Sequence, residues 1–281
     1  MAQVQTPAFM LSSATLMIAP AFTTDVFSLT PGVHSVGMVK EVAVNVDSSM
    51  IELKNGIAQA LVESRRTGVN AKITGTVFEM TSKNLLIASA FDPSSAVVAK
   101  RGVLTTAANA AAVSLVYNSY PVPGQAASGV TAVGDVPAGS TIVLQRPGSE
   151  IDYVFPAVTS GVTTGAGPWT TPIAGTQAIP AGMSFPVGSS IWILTPVPVA
   201  DITADTLFGV KITGTLSSYD RPVTAVFPKC RVAKGFALSY AESDFGSMPW
   251  EFSPLLMATS EATGRLAEIG TNAPGRMYVG A

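Results

Sequence analysis

Between Glu41 and Val77 apolar and polar residues change places at almost every second position, and that period dictates extended chain. Val42, Val44 and Val46 alternate with Glu41, Ala43, Asn45 and Asp47, which puts one set on each face of a β-strand. Ile51 and Leu53 alternate with Glu52 and Lys54, and Asn55-Gly56 follows at once. Both residues of that pair tolerate a positive φ, so the dipeptide marks a hairpin. Beyond it, Gln59, Leu61, Glu63 and Arg65 alternate with Ala58, Ala60, Val62 and Ser64. Thr67-Gly68-Val69-Asn70 reads as another turn, and Ile73 and Val77 lie in a further strand. The pattern predicts a meander of four strands. It breaks at Thr81–Ala90, where Thr81 or Ser82 caps a first turn ahead of Leu85-Leu86-Ile87 and Pro93 forbids continuation. A single short helix is predicted there.

Charge divides the rest of the chain. Asp, Glu, Lys and Arg together make up 12% of the sequence, about half the usual share of about 25%. A chain so poor in charge has little to hold its surface in water, and such surfaces are commonly covered by other copies. Residues 1–118 carry eight basic and seven acidic side chains, residues 119–204 one and four, and residues 205–281 seven and seven. The middle segment is rich in Pro, Gly, Ala, Thr and Ser, and it repeats a turn. Val136-Pro137-Ala138-Gly139-Ser140 and Ile179-Pro180-Ala181-Gly182-Met183-Ser184 are near copies, each built to reverse the chain before a strand. Strands are predicted at Thr141–Gln145, Asp152–Val158 and Ser190–Thr195. Residues 119–204 therefore read as a small inserted β module between two parts of one core, 1–118 and 205–281. Lys72-Ile73-Thr74-Gly75-Thr76-Val77 recurs as Lys211-Ile212-Thr213-Gly214-Thr215-Leu216, a repeat that equivalent strands on two faces of a sandwich would explain. Strand pattern resumes at Val223–Phe227 and where Val232, Phe236, Leu238 and Tyr240 share a face.

Nothing in the residue inventory assembles into chemistry. His34 is the one histidine and Cys230 the one cysteine, so neither a Cys/His metal motif nor a disulfide framework is available. A Ser-His-Asp triad would have to use His34, and no Gly-X-Ser-X-Gly elbow accompanies it. Lys229 and Arg231 flank Cys230 and would lower its pKa if the thiol were accessible; a small side chain within a strand is the simpler reading. Glu150 and Asp152 share a strand face with no further polar group near in sequence. Asp201 and Asp205 lack the dense oxygen series of a calcium loop. No cofactor or metal is expected. Residues 1–24 hold no charged side chain, so the basic start of an export signal is missing. No run reaches the roughly 18 apolar residues of a membrane helix. Synthesis and assembly in the cytoplasm are the expectation.

Four stretches of this sequence resemble the tail tube (major tail) proteins of long-tailed bacteriophages. Pro31 to Val62 is similar to the opening strands and hairpin of that family. Ile73 to Phe91 resembles its strand followed by a helix on a Thr-x-x-Asn-Leu pattern, here Thr81, Asn84 and Leu85. Arg221 to Thr259 resembles the closing block, with a Phe-Pro-Lys strand, a second apolar strand and an Asp-Phe-Gly turn leading into Pro-Trp-Glu-Phe. Ile179 to Ser190 looks like turns found in tail-protein insertions. The resemblance implies an all-β fold, a tail-tube-like β-sandwich or barrel with one short flanking helix plus the inserted module. It implies a non-enzymatic virion protein whose six copies close a ring, with rings stacked into a tube around one continuous inner barrel. Expected partners are other copies of the chain, a tape-measure protein, tail terminator and initiator proteins, and viral DNA that passes without specific binding. Within this frame Gln59, Glu63 and Arg65 are expected on the lumen side or at the contact between rings, with Ala58, Ala60 and Val62 against the core. The same charge-poor, β-rich composition would also suit a capsid decoration or fibre-type adhesion protein, and less well a secreted hydrolase or lectin.

Overall fold

The computed structural model describes residues 11–55, 60–96, 99–112, 114–122, 129, 136, 140–149, 152–155, 167–172, 178–194, 196–199, 203, 205–216, 221–235 and 247–279. In chain order the strands are β1 (Leu11–Pro20), β2 (Val39–Asn55), β3 (Ala60–Val77), β4 (Lys100–Leu104), β5 (Ser114–Tyr120), β6 (Thr141–Gln145) and β7 (Asp152–Phe155). They continue with β8 (Trp169–Pro172), β9 (Ser190–Leu194), β10 (Phe208–Leu216), β11 (Arg221–Lys234), β12 (Met248–Pro254) and β13 (Arg276–Val279). Two short helices, α1 (Pro31–His34) and α2 (Ser82–Ala88), accompany them. The fold is all-β, with antiparallel sheets and a half-barrel. Two compact units form, Met1–Ser94 with Pro198–Ala281, and Ser95–Val197.

In the first unit the strands order as β1-β10-β11-β12-β3-β2, and β13 adds to β11 beside β12. Period two explains what fills it. Leu16 and Ile18 of β1 point inward with Ile73, Val77, Val210, Ile212, Phe227, Trp250 and Phe252. Met17 and Ala19, one position out of phase, join Val26, Leu29, Val226, Met257 and Ile269 in a second core on the opposite face. Two-sided burial is why Leu16-Met17-Ile18-Ala19 shows no polar alternation. Full burial of each large side chain here contributes about 1.5–3 kcal/mol.

Helix α2 closes part of the inner core with Ile87 and Ala88. Thr81 caps it, its Oγ1 accepting from the Asn84 amide at 3.2 Å. The buried Asn84 side chain donates to Val36 O at 2.9 Å and Glu79 O at 2.7 Å, so the Thr-x-x-Asn spacing both starts the helix and ties it to neighbouring backbone. The helix ends ahead of Pro93, through Ala90 at φ 61°, with Phe91 N bonding Leu86 O and Ala90 N bonding Ile87 O.

Three expectations are corrected here. The four-strand meander is one hairpin, because β2 and β3 run unbroken through Asp47–Met50 and Thr67–Asn70. The turn chemistry of Gly68 is absorbed by a bulge in which Ser49 pairs Gly68 and Met50 pairs Arg66, leaving Thr67 extra. The recurring Lys-Ile-Thr-Gly-Thr segment lies in β3 and β10 of the same sheet, separated by β11 and β12. The second unit begins well before residue 119: β4 and β5 pair with β9 and β8 and belong to its sheet. The drop in charge that marks residue 119 falls inside this unit, since Lys100 and Arg101 sit on its strand β4. Phe236, Leu238 and Tyr240 lie outside the described residues.

The second unit is a six-stranded sheet in the order β7-β6-β9-β4-β5-β8. Ile142, Leu144, Phe155, Leu104, Leu115, Tyr117, Ile191 and Ile193 pack on one face with Val136, Ile179 and Phe185. Tyr117 Oη and Thr171 Oγ1 satisfy each other at 2.7 Å inside that core. Pro180-Ala181-Gly182 and Pro186-Val187-Gly188 make the turns their composition demands, while Pro137-Ala138-Gly139 lies outside the described residues. Met183 N bonds Pro180 O around Gly182 at φ 86°, and Ser189 N bonds Pro186 O around Gly188 at φ 91°.

Candidate assembly surface

The β2–β3 hairpin is longer than the core it covers. Strand β2 has 17 residues and β3 has 18, a span of roughly 55 Å at about 3.4 Å per residue. At its root, Val39, Val42 and Val44 pack on the inner core beside the buried Ile73 and Val77. Opposed residues of an antiparallel pair share a face, so the Val44/Ile73 row continues outward as Val46/Ala71 and Ser48/Val69. Ala71 is still buried, whereas Val46 is 64% and Val69 45% exposed. From Asn45 to Glu52 every residue of β2 is exposed, whichever face it occupies, including Met50 and Ile51. The apolar pattern of a strand persists past the point where the described residues supply anything to pack on it. The distal half of the hairpin is an arm.

The arm is shaped as well as long. Glu41 and Val42 oppose Gly75, Thr67 is extra between Gly68 and Arg66, and Val62 is extra between Glu63 and Leu61. Each insertion bends the strand pair and increases its twist. Strand β2 is hydrogen-bonded to β3 alone and forms one edge of the sheet. Strand β1 forms the other edge, met outside the named strands by a bridge from Met17 to Ser35. Long edge strands present rows of backbone donors and acceptors to any strand that approaches. At the arm's root an apolar cavity of about 220 Å³ opens among Ala14, Val42, Val44, Ile212, Val223 and Met277.

Of the three residues expected at the lumen or ring contact, Glu63 and Arg65 fall on this arm. Glu63 pairs with Leu53 and Arg65 with Ile51, while Gln59 lies outside the described residues. The extra residue at Val62 interrupts the strict alternation expected from Ala58 to Arg65. The side chains of Ala60 and Val62 lie outside the described residues, while Met50, Ile51, Glu52 and Ser64 nearby are exposed. Ala58 lies outside the described residues. Sequence reasoning passed over Val46, Met50 and Ile51, because apolar residues at alternate positions read as core wherever they occur.

The groups weighed for chemistry fall elsewhere. His34 ends α1 and accepts from the Thr30 amide at 3.2 Å through Nδ1. Cys230 is fully buried in β11, and burial pushes its thiol far above the ordinary range, which removes the reactive reading. Asp205 pairs with Arg231 at 2.9 Å on the surface; Glu150 and Asp201 lie outside the described residues, and Asp152 is exposed at the start of β7. Among the described residues no three His, Cys, Asp or Glu side chains converge as metal ligands.

Electrostatic ties lie at the root and the outer core. Lys72 meets Glu251 at 2.9 Å across β3 and β12, and hydrogen bonding to that carboxylate, then its charge, raises the lysine's pKa. Lys211 reaches Phe27 O and Leu29 O, and burial, then the charge of Arg265, holds its pKa low against the opposing pull of Asp25. Glu261 accepts from Lys229 at 2.9 Å through both oxygens and from the Ala258 amide at 2.7 Å. Those bonds hold its carboxyl below the usual range, the lysine first. No protein-family model and no curated protein matches this sequence. Among the described residues no helix is long and apolar enough to cross a membrane.

Proposed function

We propose that this chain is a non-enzymatic structural subunit that assembles with copies of itself into stacked hexameric rings, forming the tail tube of a long-tailed bacteriophage and a conduit for genome delivery. The observation that carries the reading is the arm, whose core-facing row runs on into solvent as Val46 and Val69. An apolar row of that kind is stable in water when another surface covers it. The free edge of β2 supplies the hydrogen-bonding counterpart, because pairing between neighbouring subunits satisfies both edges of a half-barrel at once. The resemblance of Pro31–Val62, Ile73–Phe91 and Arg221–Thr259 to tail tube proteins gives the assembly its identity. It also supplies the partners: a tape-measure protein in the lumen, terminator and initiator proteins at the ends, and DNA in transit. A formal net charge of −2 suits a conduit, since a wall that gripped phosphate through many Lys and Arg would hold DNA back. Gln59, Glu63 and Arg65 belong, on this reading, to the contact between successive rings or to the lumen. The product is a virion tail component assembled in the host cytoplasm.

Negative-stain microscopy of the concentrated full chain tests this. Rings or tubes are expected. A variant in which an Asn-Gly turn joins Val46 directly to Ala71 should remain folded and fail to stack. A wild-type chain that stays monomeric at every concentration and salt, or trimers of the kind a decoration or fibre protein forms, would overturn the reading.

A further inference from the structure

The second unit has a solvated face as well as a core, and that face is organised around one arginine. Arg101 of β4 lies directly opposite Tyr120 of β5 and Trp192 of β9. Its neighbours Gly102 and Leu104 are buried on the other face. The guanidinium carbon sits 4.6 Å from the Tyr120 ring centre and 5.1 Å from that of Trp192, and Nη2 donates to Ser190 Oγ at 2.8 Å. Arg146, just past β6, donates Nη2 to Ser184 O. In each arginine Nε is buried and without a hydrogen-bond partner. Among the described residues no carboxylate is ion-paired with either. A guanidinium carries five donors and no acceptor, so both side chains are held in place with donors beyond those bonds and, among the described residues, no carboxylate against their charge. They line one cavity of about 460 Å³ with Gln145, Ser149, Gly188 and Ser190.

We propose that this cavity binds an acidic sugar, with Arg101 and Arg146 taking its carboxylate and Gln145 and Ser190 meeting its hydroxyls. Planar guanidinium groups match a carboxylate through two parallel hydrogen bonds. The cavity lies within the roughly 300–1,000 Å³ range of small-ligand sites and is larger than a lone oxyanion requires. Its walls offer amide, hydroxyl and guanidinium groups, which suits a hydroxylated ligand better than an apolar one. A polyphosphate is disfavoured by count. From Ser95 to Val197 the basic residues are Lys100, Arg101 and Arg146 and the acidic ones Asp135, Glu150 and Asp152, a net charge of zero, whereas affinity for nucleic acid rises with the number of phosphates neutralised.

Calorimetric titration of the full chain with glucuronate, glucose, acetate and inorganic phosphate tests the site. Glucuronate should bind at least tenfold more tightly than glucose or acetate, and Arg146→Gln should weaken it at least tenfold with an unchanged circular dichroism spectrum. Arg101→Gln should do the same; because Arg101 is packed between two rings, Arg146→Gln decides if that variant does not fold. Glucuronate binding no better than acetate or phosphate would reduce the cavity to a simple oxyanion site and overturn the sugar assignment. Absence of binding, or binding indifferent to Arg146→Gln, would overturn the site altogether.

Discussion

The two sheets solve the same problem at different lengths. The second unit uses strands of four to seven residues, and their pairings run without a register shift. One face buries a core and the other meets water. In the first unit the sheet is covered on both faces, yet its longest hairpin carries three bulges and outruns both cores. Short strands end where their core ends. Strands that continue past it with Val46, Met50, Ile51 and Val69 exposed keep an apolar pattern that folding of the single chain does not need. The difference separates residues that hold the subunit together from residues left for something outside it.

The widest test of that separation uses one substitution on either side of the line. Ile73 is buried in the inner core, opposite Val44. Ile73→Asp would leave an unpaired carboxylate there and should cost at least 3–5 kcal/mol, enough to unfold the first unit. Ile51, 64% exposed on the arm, should accept Asp within about 0.5 kcal/mol, and in the proposed assembly that change should abolish the stacking of rings. Urea titration reads the first effect and sedimentation the second. Equal destabilisation by the two changes would mean that the arm folds back on a core and is no arm.

Next in size is the independence of the two cores. Ile193 lies at the centre of the second unit, fully buried with Ile142 and Leu144. Ile193→Ala should remove about 2–5 kcal/mol from one unfolding transition only, leaving the transition that reports Trp250 and Phe252 in place. A single transition that shifts as a whole would show that the units unfold together.

How much of this was legible beforehand depended on whether the signal was local. The period-two run from Val42 to Val46, the Thr81 cap and the Pro180–Gly182 turn are short-range patterns, and each forms as its residues dictate. Strand length was not local. Gly68 carries a genuine turn preference, and only the register of β2 against β3 shows that a bulge at Thr67 absorbs it. The unit boundary was missed because it was set where charge falls, whereas β4 belongs to the second unit through its partner β9, which lies far along the chain. The convergence of Arg101 and Arg146 on one cavity was invisible for the same reason, since β4 and β6 flank β9, which pairs with both. Glu63 and Arg65 were chosen for polarity, whereas the exposed Ile51 opposite Arg65, with Val46 and Met50, distinguishes the arm more sharply.

A smaller effect concerns the outer core, which the second unit lacks. The Lys229–Glu261 pair holds the segment around Ala258 against β11. Because the folded carboxyl titrates below its unfolded value, its contribution is present above the unfolded pKa of about 4.3 and is lost as pH falls through the folded pKa. Thermal melts should therefore show wild type above Glu261→Gln at pH 7, with the gap closing below about pH 4. A gap that is constant with pH would assign the effect to packing.

The smallest effect concerns the bulge at the arm's root. Glu41 sits at φ 59°, in the left-handed region that costs an L-residue about 1–2 kcal/mol. Its side chain is exposed, and its contact with Lys40, 3.6 Å away and equally exposed, offsets little of that. Glycine adopts the same φ freely but loses about 0.5–1 kcal/mol more chain entropy on folding. The balance favours Glu41→Gly by about 0.5–1 kcal/mol, read as a higher urea midpoint at unchanged slope. Glu41→Val, with a branched β-carbon in the same conformation, should move the midpoint the other way. The bulge opposes Gly75, where even an added Cβ would come no nearer than 3.6 Å to Val42, so space on the partner strand does not decide the sign. If glycine lowers the midpoint instead, the strain at Glu41 is absent and the bend at the root has another origin than this bulge.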